Sequence, residues 1–272
     1  MKNKLRLTLT KSLKFFNSWT GTIVFVLLIT MFVAQNFVIP SGSMKDSLLV
    51  GDRLFGKKFA YGIPTPTLPF VEIPLIPNTD GHIVNGDTPK RGDIVIFRPP
   101  HNVKTHYVKR CVALAGDELF ILDKDLYLHL NEGNDYMKLQ YKQKDMITYE
   151  NKLWVKNPYM DLHHGIHHDD KIVNNGKNPP QLFNTLVIKV PENEYFMMGD
   201  NRDHSNDSRF WGSVPYGLLV GTPWFIYFSM DNNFEIRWDR FFKTPSDLEE
   251  KKYLDKARLQ RIQEDKNDYK IY

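Results

Sequence analysis

Cysteine is almost absent from this sequence. Among its 272 residues only Cys111 carries a thiol, so an intramolecular disulfide and a zinc site built from cysteines are both excluded. A thiol between Arg110 and Val112 is expected to be a small core residue rather than a nucleophile.

Concentrated charge of one sign is also missing from most of the chain. The formal net charge is +4, and the first 45 positions hold six basic residues and no acidic one. The rest of the chain is therefore close to neutral, which excludes the basic face that nucleic-acid binding requires. A hydrophobic content of 42% indicates a globular protein with a substantial core.

Charge is absent altogether from residues 19–39, "WTGTIVFVLLITMFVAQNFVI". A helix of this length spans roughly 30 Å, the thickness of a bilayer core. The basic residues before it place the N-terminus in the cytoplasm and everything after residue 40 outside. A cleaved signal peptide has a similar pattern, but no clear Ala-x-Ala site follows, and we expect a retained transmembrane anchor.

Helical stripes of apolar residues are scarce beyond residue 50. Strand-length runs such as "GDIVIF" (92–97), "TLVIKV" (185–190) and "TPWFIYFSM" (222–230) predict a mainly β body. Residues 125–182 are polar and indicate an insertion, whereas the charged residues 244–272 predict a solvated helix with Ser246 or Asp247 as its N-cap. The predicted organisation is a cytoplasmic basic N-terminus (1–18), an anchor (19–39), a core in two parts (40–124 and 183–243), the insertion (125–182) and the C-terminal helix (244–272).

A hydrolytic triad is also missing, because no His, Asp and Ser residues stand out by their spacing, and no glycine motif for phosphate binding occurs. Lys109, in "HYVKRCVAL", has apolar neighbours, and burial can lower the pKa of such an amine until it serves as a base. Strand alternation places it on the face opposite Val108 and Arg110. From this pattern alone, an exposed strand lysine is the simpler interpretation.

The stretch "MGDNRDHSNDSRFWGSVP" (198–215) could be a rigid loop held by Asp–Arg pairs or a solvated turn.

Four groups of residues occur in a specific order: "PSGSM" followed by "GD", then "RGDIVIF", then "YVKR" with "AGD", then "GDNRDHSNDSRFWG". Together they resemble the motif boxes of bacterial type I signal peptidases, over residues 37–60, 90–118 and 194–225. The resemblance implies a β-barrel or sandwich core and a membrane-anchored serine endopeptidase. It would remove N-terminal signal peptides from exported preproteins on the outer side of the cytoplasmic membrane, as a monomer that needs neither cofactor nor metal.

The same resemblance implies roles for individual residues. Ser43 would be the nucleophile and Lys109 the general base, Ser41 would donate to the oxyanion, and Ser205 would hold the lysine amine. An ion pair between Asp207 and Arg209, together with Asp200, would support the last loop. Shallow pockets for small substrate side chains would be formed by Phe37, Ile39, Pro40, Met44, Tyr107 and Val108.

Two positions depart from the family pattern, since Asp46 and Ala115 stand where prolines are common. We expect Asp46 to make the turn after the nucleophile more flexible and to place its carboxylate near the membrane face.

Three alternatives remain open from the sequence. Histidines four residues apart in "HHGIHHDD", His163 with His167 or His164 with His168, could bind a transition metal. A self-cleaving Ser-Lys protease of the SOS-repressor type would also use a serine nucleophile and a lysine base. In a membrane-tethered β-rich binding module, Ser43 and Lys109 would have no catalytic role.

Overall fold

The structure is a computed structural model, and it describes residues 16–67, 74–76 and 81–268. The basic residues predicted for the cytoplasmic N-terminus, Lys2, Lys4, Arg6, Lys11 and Lys14, lie outside these ranges. The strands are β1 (Ala34–Val38), β2 (Asp52–Lys57), β3 (Gly62–Pro64), β4 (His82–Asn85), β5 (Ile94–Phe97), β6 (Tyr107–Ala113), β7 (Glu118–Leu122), β8 (Asp125–His129), β9 (Met146–Tyr149), β10 (Lys152–Lys156), β11 (Ile188–Lys189), β12 (Glu194–Met198), β13 (Val214–Pro215) and β14 (Leu219–Ser229). The helices are α1 (Trp19–Leu28), α2 (Asn134–Gln140), α3 (Ser208–Trp211), α4 (Pro245–Leu248) and α5 (Lys251–Asp268).

The apolar N-terminal run is divided between a helix and a strand. Ser18 caps α1, because its side chain accepts a hydrogen bond from the Gly21 N–H at 3.1 Å. One turn of π-helix follows at Ile29–Val33, and the backbone then extends into β1, which pairs antiparallel with β2 from Ala34↔Lys57 to Val38↔Arg53. The expectation of one continuous helix over 19–39 is therefore wrong, because the end of the run completes a sheet. In the described ranges, no helix combines the length and the apolar character needed to cross a bilayer.

The largest sheet has seven strands in the order β1-β2-β14-β5-β6-β12-β13, which confirms the mainly β prediction. The long strand β14 pairs with both β2 and β5, and its register shifts at several points. Such bulges bend a strand and increase its twist. The sheet is therefore curled along β14.

Two apolar clusters pack on this sheet. One joins Phe37, Ile39 and Met44 to residues of β2, β5 and β14, and the other includes Phe97, Cys111 and Met197. Cys111 is fully buried, as predicted for a core residue, and burial raises the pKa of its thiol. The first cluster fixes the chain directly before and after Ser43.

The polar block predicted as an insertion contains an ordered sheet of five strands, in the order β11-β7-β8-β10-β9. Its buried side includes Leu126, Leu128, Leu153 and Val155. Strands β7 and β11 lie outside 125–182, so this sheet extends beyond both ends of the predicted block.

The C-terminal part starts with a capping box at Thr244. The Thr244 hydroxyl accepts from the Asp247 N–H, and the Asp247 side chain accepts from the Thr244 N–H, with Pro245 in the first helical position. Thr244 is therefore the N-cap, instead of Ser246 or Asp247. Leu248, Leu254 and Ala257 are buried, so the start of this charged segment packs on the body of the protein.

Candidate active site

Ser43 lies in a tight turn at the end of β1. Ile39 is held at both backbone groups, since its N–H donates to Asp52 O at 2.9 Å and its carbonyl accepts from Gly51 N at 3.0 Å. A turn of 3-10 helix, Gly42–Met44, follows, with Ser43 9% and Met44 1% exposed. The apolar side chains on both sides anchor the turn in the core, which leaves the serine hydroxyl at the surface of the cleft.

Lys109 approaches this hydroxyl from β6. Its backbone lies opposite Val95 of β5, and its side chain is 4% exposed, so the interpretation as an exposed strand lysine is wrong. The Nζ atom donates to Ser43 Oγ at 2.5 Å and to the Val108 carbonyl at 3.1 Å.

The environment favours the neutral form of this amine. Burial lowers the pKa of Lys109 from 10.5 to about 8, although the negative charges of Asp207 and Asp200 act in the opposite direction. A neutral amine at hydrogen-bond distance can accept the proton of a hydroxyl that attacks a carbonyl. The pair can therefore perform nucleophilic catalysis.

Ser41 and Ser205 flank the pair in different ways. The Ser41 hydroxyl lies 3.4 Å from Ser43 Oγ, on the same side of the turn. Ser205 is 4% exposed, and among the described contacts no hydrogen bond joins its hydroxyl to the Lys109 amine. A Cβ atom added to Gly199 would come within 2.3 Å of Ser205 Oγ and 2.5 Å of the Ser43 carbonyl oxygen. Ser205 therefore packs beside Ser43, and its predicted role of holding the amine stays a prediction.

A buried ion pair fixes the loop that carries Ser205. Arg209 donates from Nε and Nη2 to the two carboxylate oxygens of Asp207, both at 2.8 Å. The same carboxylate accepts from the Gly199 N–H at 3.0 Å. Burial alone would raise the pKa of Asp207, but the Arg209 charge and these hydrogen bonds hold it below its usual value.

A second buried pair lies behind the turn. Arg110 binds Asp200 from Nε at 2.8 Å and from Nη2 at 2.7 Å, and Ser47 donates to the same carboxylate at 2.5 Å. Burial opposes ionisation of Asp200, yet the Arg110 charge keeps its pKa below the usual range. Arg110 also donates to Glu249 at 2.7 Å, from a position 139 residues away in the chain.

Several of these supporting residues are missing from the sequence-based prediction. Asn201 joins the loop after β12 to the turn that carries Ser43, because its N–H donates to the Ser43 carbonyl at 3.2 Å and its side chain donates to the Gly42 carbonyl at 3.0 Å. Arg110 and Asn201 both lie inside the motif boxes, which is the signal that could have identified them. Nothing in the sequence near Glu249 points to this site.

The cleft beside Ser43 and Lys109 has a volume of about 380 Å³. Its lining includes all six residues predicted for substrate pockets, Phe37, Ile39, Pro40, Met44, Tyr107 and Val108. It also includes His106, His204 and Asn206, which the prediction did not name. The wall is largely apolar around the hydroxyl and the amine.

Three of the four histidines among residues 163–168 face separate carboxylates. His163 lies 2.9 Å from Glu249, His167 lies 3.4 Å from Asp46, and His168 lies 3.4 Å from Asp203. The described part of the chain holds no group of three or more His, Cys, Asp or Glu residues placed to bind a metal ion.

Comparisons with known proteins identify the family of this chain. The family described as "Signal peptidase, peptidase S26" matches residues 12–228. Signal peptidase I of Helicobacter pylori strain J99 is 41% identical over 271 residues, which cover 86% of this chain and 93% of that protein. Signal peptidase I of Rickettsia bellii strain OSU 85-389 is 36% identical over 226 residues, which cover 78% of this chain and 72% of that protein.

Among solved structures, a crystal structure of a signal peptidase I from Enterococcus faecalis V583 is 24% identical, with a TM-score of 0.32, and covers 50% of this chain and 97% of that chain. The family match extends from residue 12 to residue 228 and so contains every motif box and both members of the Ser43–Lys109 pair. This chain belongs to the S26 family of signal peptidases, which are serine endopeptidases.

Proposed function

We propose that this chain cleaves N-terminal signal peptides from exported preproteins, with Ser43 as the nucleophile and neutral Lys109 as the general base. The observation that carries the proposal is the 2.5 Å contact between Lys109 Nζ and Ser43 Oγ in a buried site. Both residues lie in the segments that resemble the motif boxes of the family.

The reaction starts when Ser43 Oγ attacks the carbonyl carbon of the scissile peptide bond and its proton moves to Lys109 Nζ. The Ser41 hydroxyl and the Ser43 N–H donate to the oxyanion that forms. When the tetrahedral intermediate collapses, the C–N bond breaks and the Lys109 ammonium gives its proton to the leaving amine.

The resulting acyl-enzyme ester is then hydrolysed. Lys109, neutral again, takes a proton from a water molecule that attacks the ester carbonyl. Collapse of the second intermediate returns the proton to Ser43 Oγ and releases the signal peptide with a new C-terminal carboxylate.

The substrate would bind as an extended strand in the cleft. In the described ranges β1 pairs only with β2, and Tyr107–Lys109 of β6 pair only with β5, so both segments leave backbone groups for a third strand. The apolar wall around Ser43 suits small side chains next to the cleaved bond. Selection by size fits this lining better than selection by charge.

The N-terminal part would attach the enzyme to the cytoplasmic membrane. Residues 16–39 carry no charged side chain, and α1 exposes Trp19 (87%), Ile23 (57%) and Phe25 (51%). Apolar side chains left exposed in this way favour contact with lipid. We place the basic N-terminus on the cytoplasmic side and the cleft on the outer side, where signal peptides emerge.

The test uses the purified full chain in detergent with a preprotein, and mass spectrometry of the products. The wild type should release one signal peptide at one bond, whereas Ser43→Ala and Lys109→Ala should release none. Lys104→Ala, which removes an exposed loop lysine, is the matched control and should cleave normally. Cleavage by Ser43→Ala would refute the proposed nucleophile, and an intact preprotein with the wild type would refute the function.

A further inference from the structure

The turn after the nucleophile has an unusual backbone at Asp46. Its φ is +79°, a left-handed conformation that proline, fixed near −65°, cannot adopt. Asp46 is 0% exposed, so its carboxylate lies inside the protein. The aspartate therefore defines a turn that differs from the proline turn of the family pattern.

Residues 163–168 of the insertion, here called the histidine segment, pack against the back of this turn. A Cβ atom added to Gly165 would lie 2.2 Å from Ser47 Oγ and 3.2 Å from Ser47 N, so the Gly165 backbone is in close contact with Ser47. The His167 N–H donates to the Asp200 carbonyl at 2.9 Å, and the His167 carbonyl accepts from Arg202 N at 3.0 Å. These bonds attach the histidine segment to the loop that follows β12.

The His167 side chain connects that segment to the turn. Its Nδ1 atom lies 2.8 Å from the Gly165 carbonyl oxygen and 3.4 Å from Asp46 Oδ2. Both neighbours are acceptors, so Nδ1 carries the proton and donates towards them. The imidazole thus ties the buried Asp46 carboxylate to the backbone of the histidine segment.

The connection continues to the nucleophile through Asp200 and Asn201, which lie beside His167 in the loop after β12. The Ser47 hydroxyl donates to the Asp200 carboxylate, and the Asn201 N–H donates to the Ser43 carbonyl. A shift of His167 would therefore move both ends of the turn that carries the serine.

The C-terminal helix supports the same segment. Arg258 of α5 donates to the His164 carbonyl at 2.8 Å, and its Nε lies 3.8 Å from Asp46 Oδ2. The Arg258 side chain is 42% exposed, so solvent screens its attraction for Asp46. The closer and more buried partner of Asp46 is His167, which is 15% exposed.

We propose that His167 is a positioning residue for Ser43: through Asp46 and the loop after β12 it sets the distance between the serine hydroxyl and the Lys109 amine. This inference rests on the proposed function. It assigns a role in catalysis to a part of the insertion that carries no motif of the family.

The experiment compares two substitutions that differ in the placement of one donor. In His167→Asn the side-chain amide nitrogen is as many bonds from Cβ as Nδ1, whereas in His167→Gln it is one bond further away. His164→Ala, which removes an exposed side chain from the same segment, is the matched control. Steady-state cleavage of a preprotein gives kcat and KM, and thermal unfolding reports on the fold.

We expect His167→Gln to lower kcat roughly tenfold with KM unchanged, because displacement of a reacting group slows chemistry more than binding. His167→Asn should keep kcat within about twofold of the wild type, and His164→Ala should behave as the wild type. Asn and Gln variants with equal kcat, whether both normal or both impaired, would overturn the inference, as would a fall in thermal stability with kcat unchanged. Failure of the proposed function is separate, because it appears as uncleaved preprotein with the wild type or as cleavage by Ser43→Ala, and it would remove the inference as well.

Discussion

Lys109 Nζ lies 2.5 Å from Ser43 Oγ, although the two residues are 66 positions apart in the chain. β6 and the turn after β1 bring them together, and both side chains are buried. Because burial lowers the pKa of the amine to about 8, the contact joins a hydroxyl to a base that is neutral at mildly alkaline pH.

Replacement of Lys109 by methionine should abolish cleavage and stabilise the fold. The pKa of the Lys109 amine is near 10.5 in the unfolded state and about 8 in the folded state. Between these pH values the unfolded state binds more protons, so the stability of the wild type rises with pH from about 8 to 10.5. Below pH 8 burial of the charged amine destabilises the folded state, and Lys109→Met should recover on the order of 2 kcal/mol at pH 7. Thermal unfolding measures this, and a lower melting temperature for Lys109→Met would contradict it.

Gly199→Ala should lower kcat about a hundredfold. The added methyl group would lie 2.5 Å from the Ser43 carbonyl oxygen and 2.3 Å from Ser205 Oγ, so the turn that carries the nucleophile has to move. Gly176→Ala is the control for backbone strain without a clash, since its φ is +76° but no atom lies within 4 Å of a Cβ built there. Normal cleavage kinetics in Gly199→Ala would argue against the close packing of these two loops.

Ser41→Ala should reduce kcat by roughly a hundredfold or more, since loss of one oxyanion donor has this effect in other serine proteases. Its hydroxyl lies 3.4 Å from Ser43 Oγ, close to where the oxyanion forms. Ser41→Thr keeps the hydroxyl and should retain most activity. If Ser41→Ala and Ser41→Thr are equally slow, the Ser41 hydroxyl does not stabilise the oxyanion.

Asp46→Pro should unfold at lower denaturant concentration than Asp46→Gly. The φ of +79° suits glycine and excludes proline, and we expect a difference of about 3 kcal/mol or more in the free energy of unfolding. Equilibrium denaturation of both variants gives the answer. Equal stability would mean that this turn tolerates a negative φ.

The fold class and the contact between Ser43 and Lys109 could be predicted from the sequence, but for different reasons. Short apolar runs rich in Val, Ile and Phe indicate strands whatever their neighbours are. Lys109 was found through the resemblance to a family, because β6 is buried at every position from Lys109 to Ala113 and alternation along it does not distinguish an inward side chain from an exposed one.

The rest depends on contacts between distant parts of the chain. The end of the apolar run becomes β1 only because β2 supplies a partner strand. His163 meets Glu249 across 86 residues, and no local pattern encodes such a meeting. The burial of Asp46 could not be predicted for the same reason, since its partner His167 lies in the insertion.

The pH dependence of kcat/KM for preprotein cleavage tests the central claim most directly. If neutral Lys109 is the base, kcat/KM should be constant well above pH 8 and fall about tenfold per pH unit below the Lys109 pKa of about 8. A kcat/KM that stays constant from acid to alkaline pH, in an enzyme that remains folded throughout, would contradict the claim.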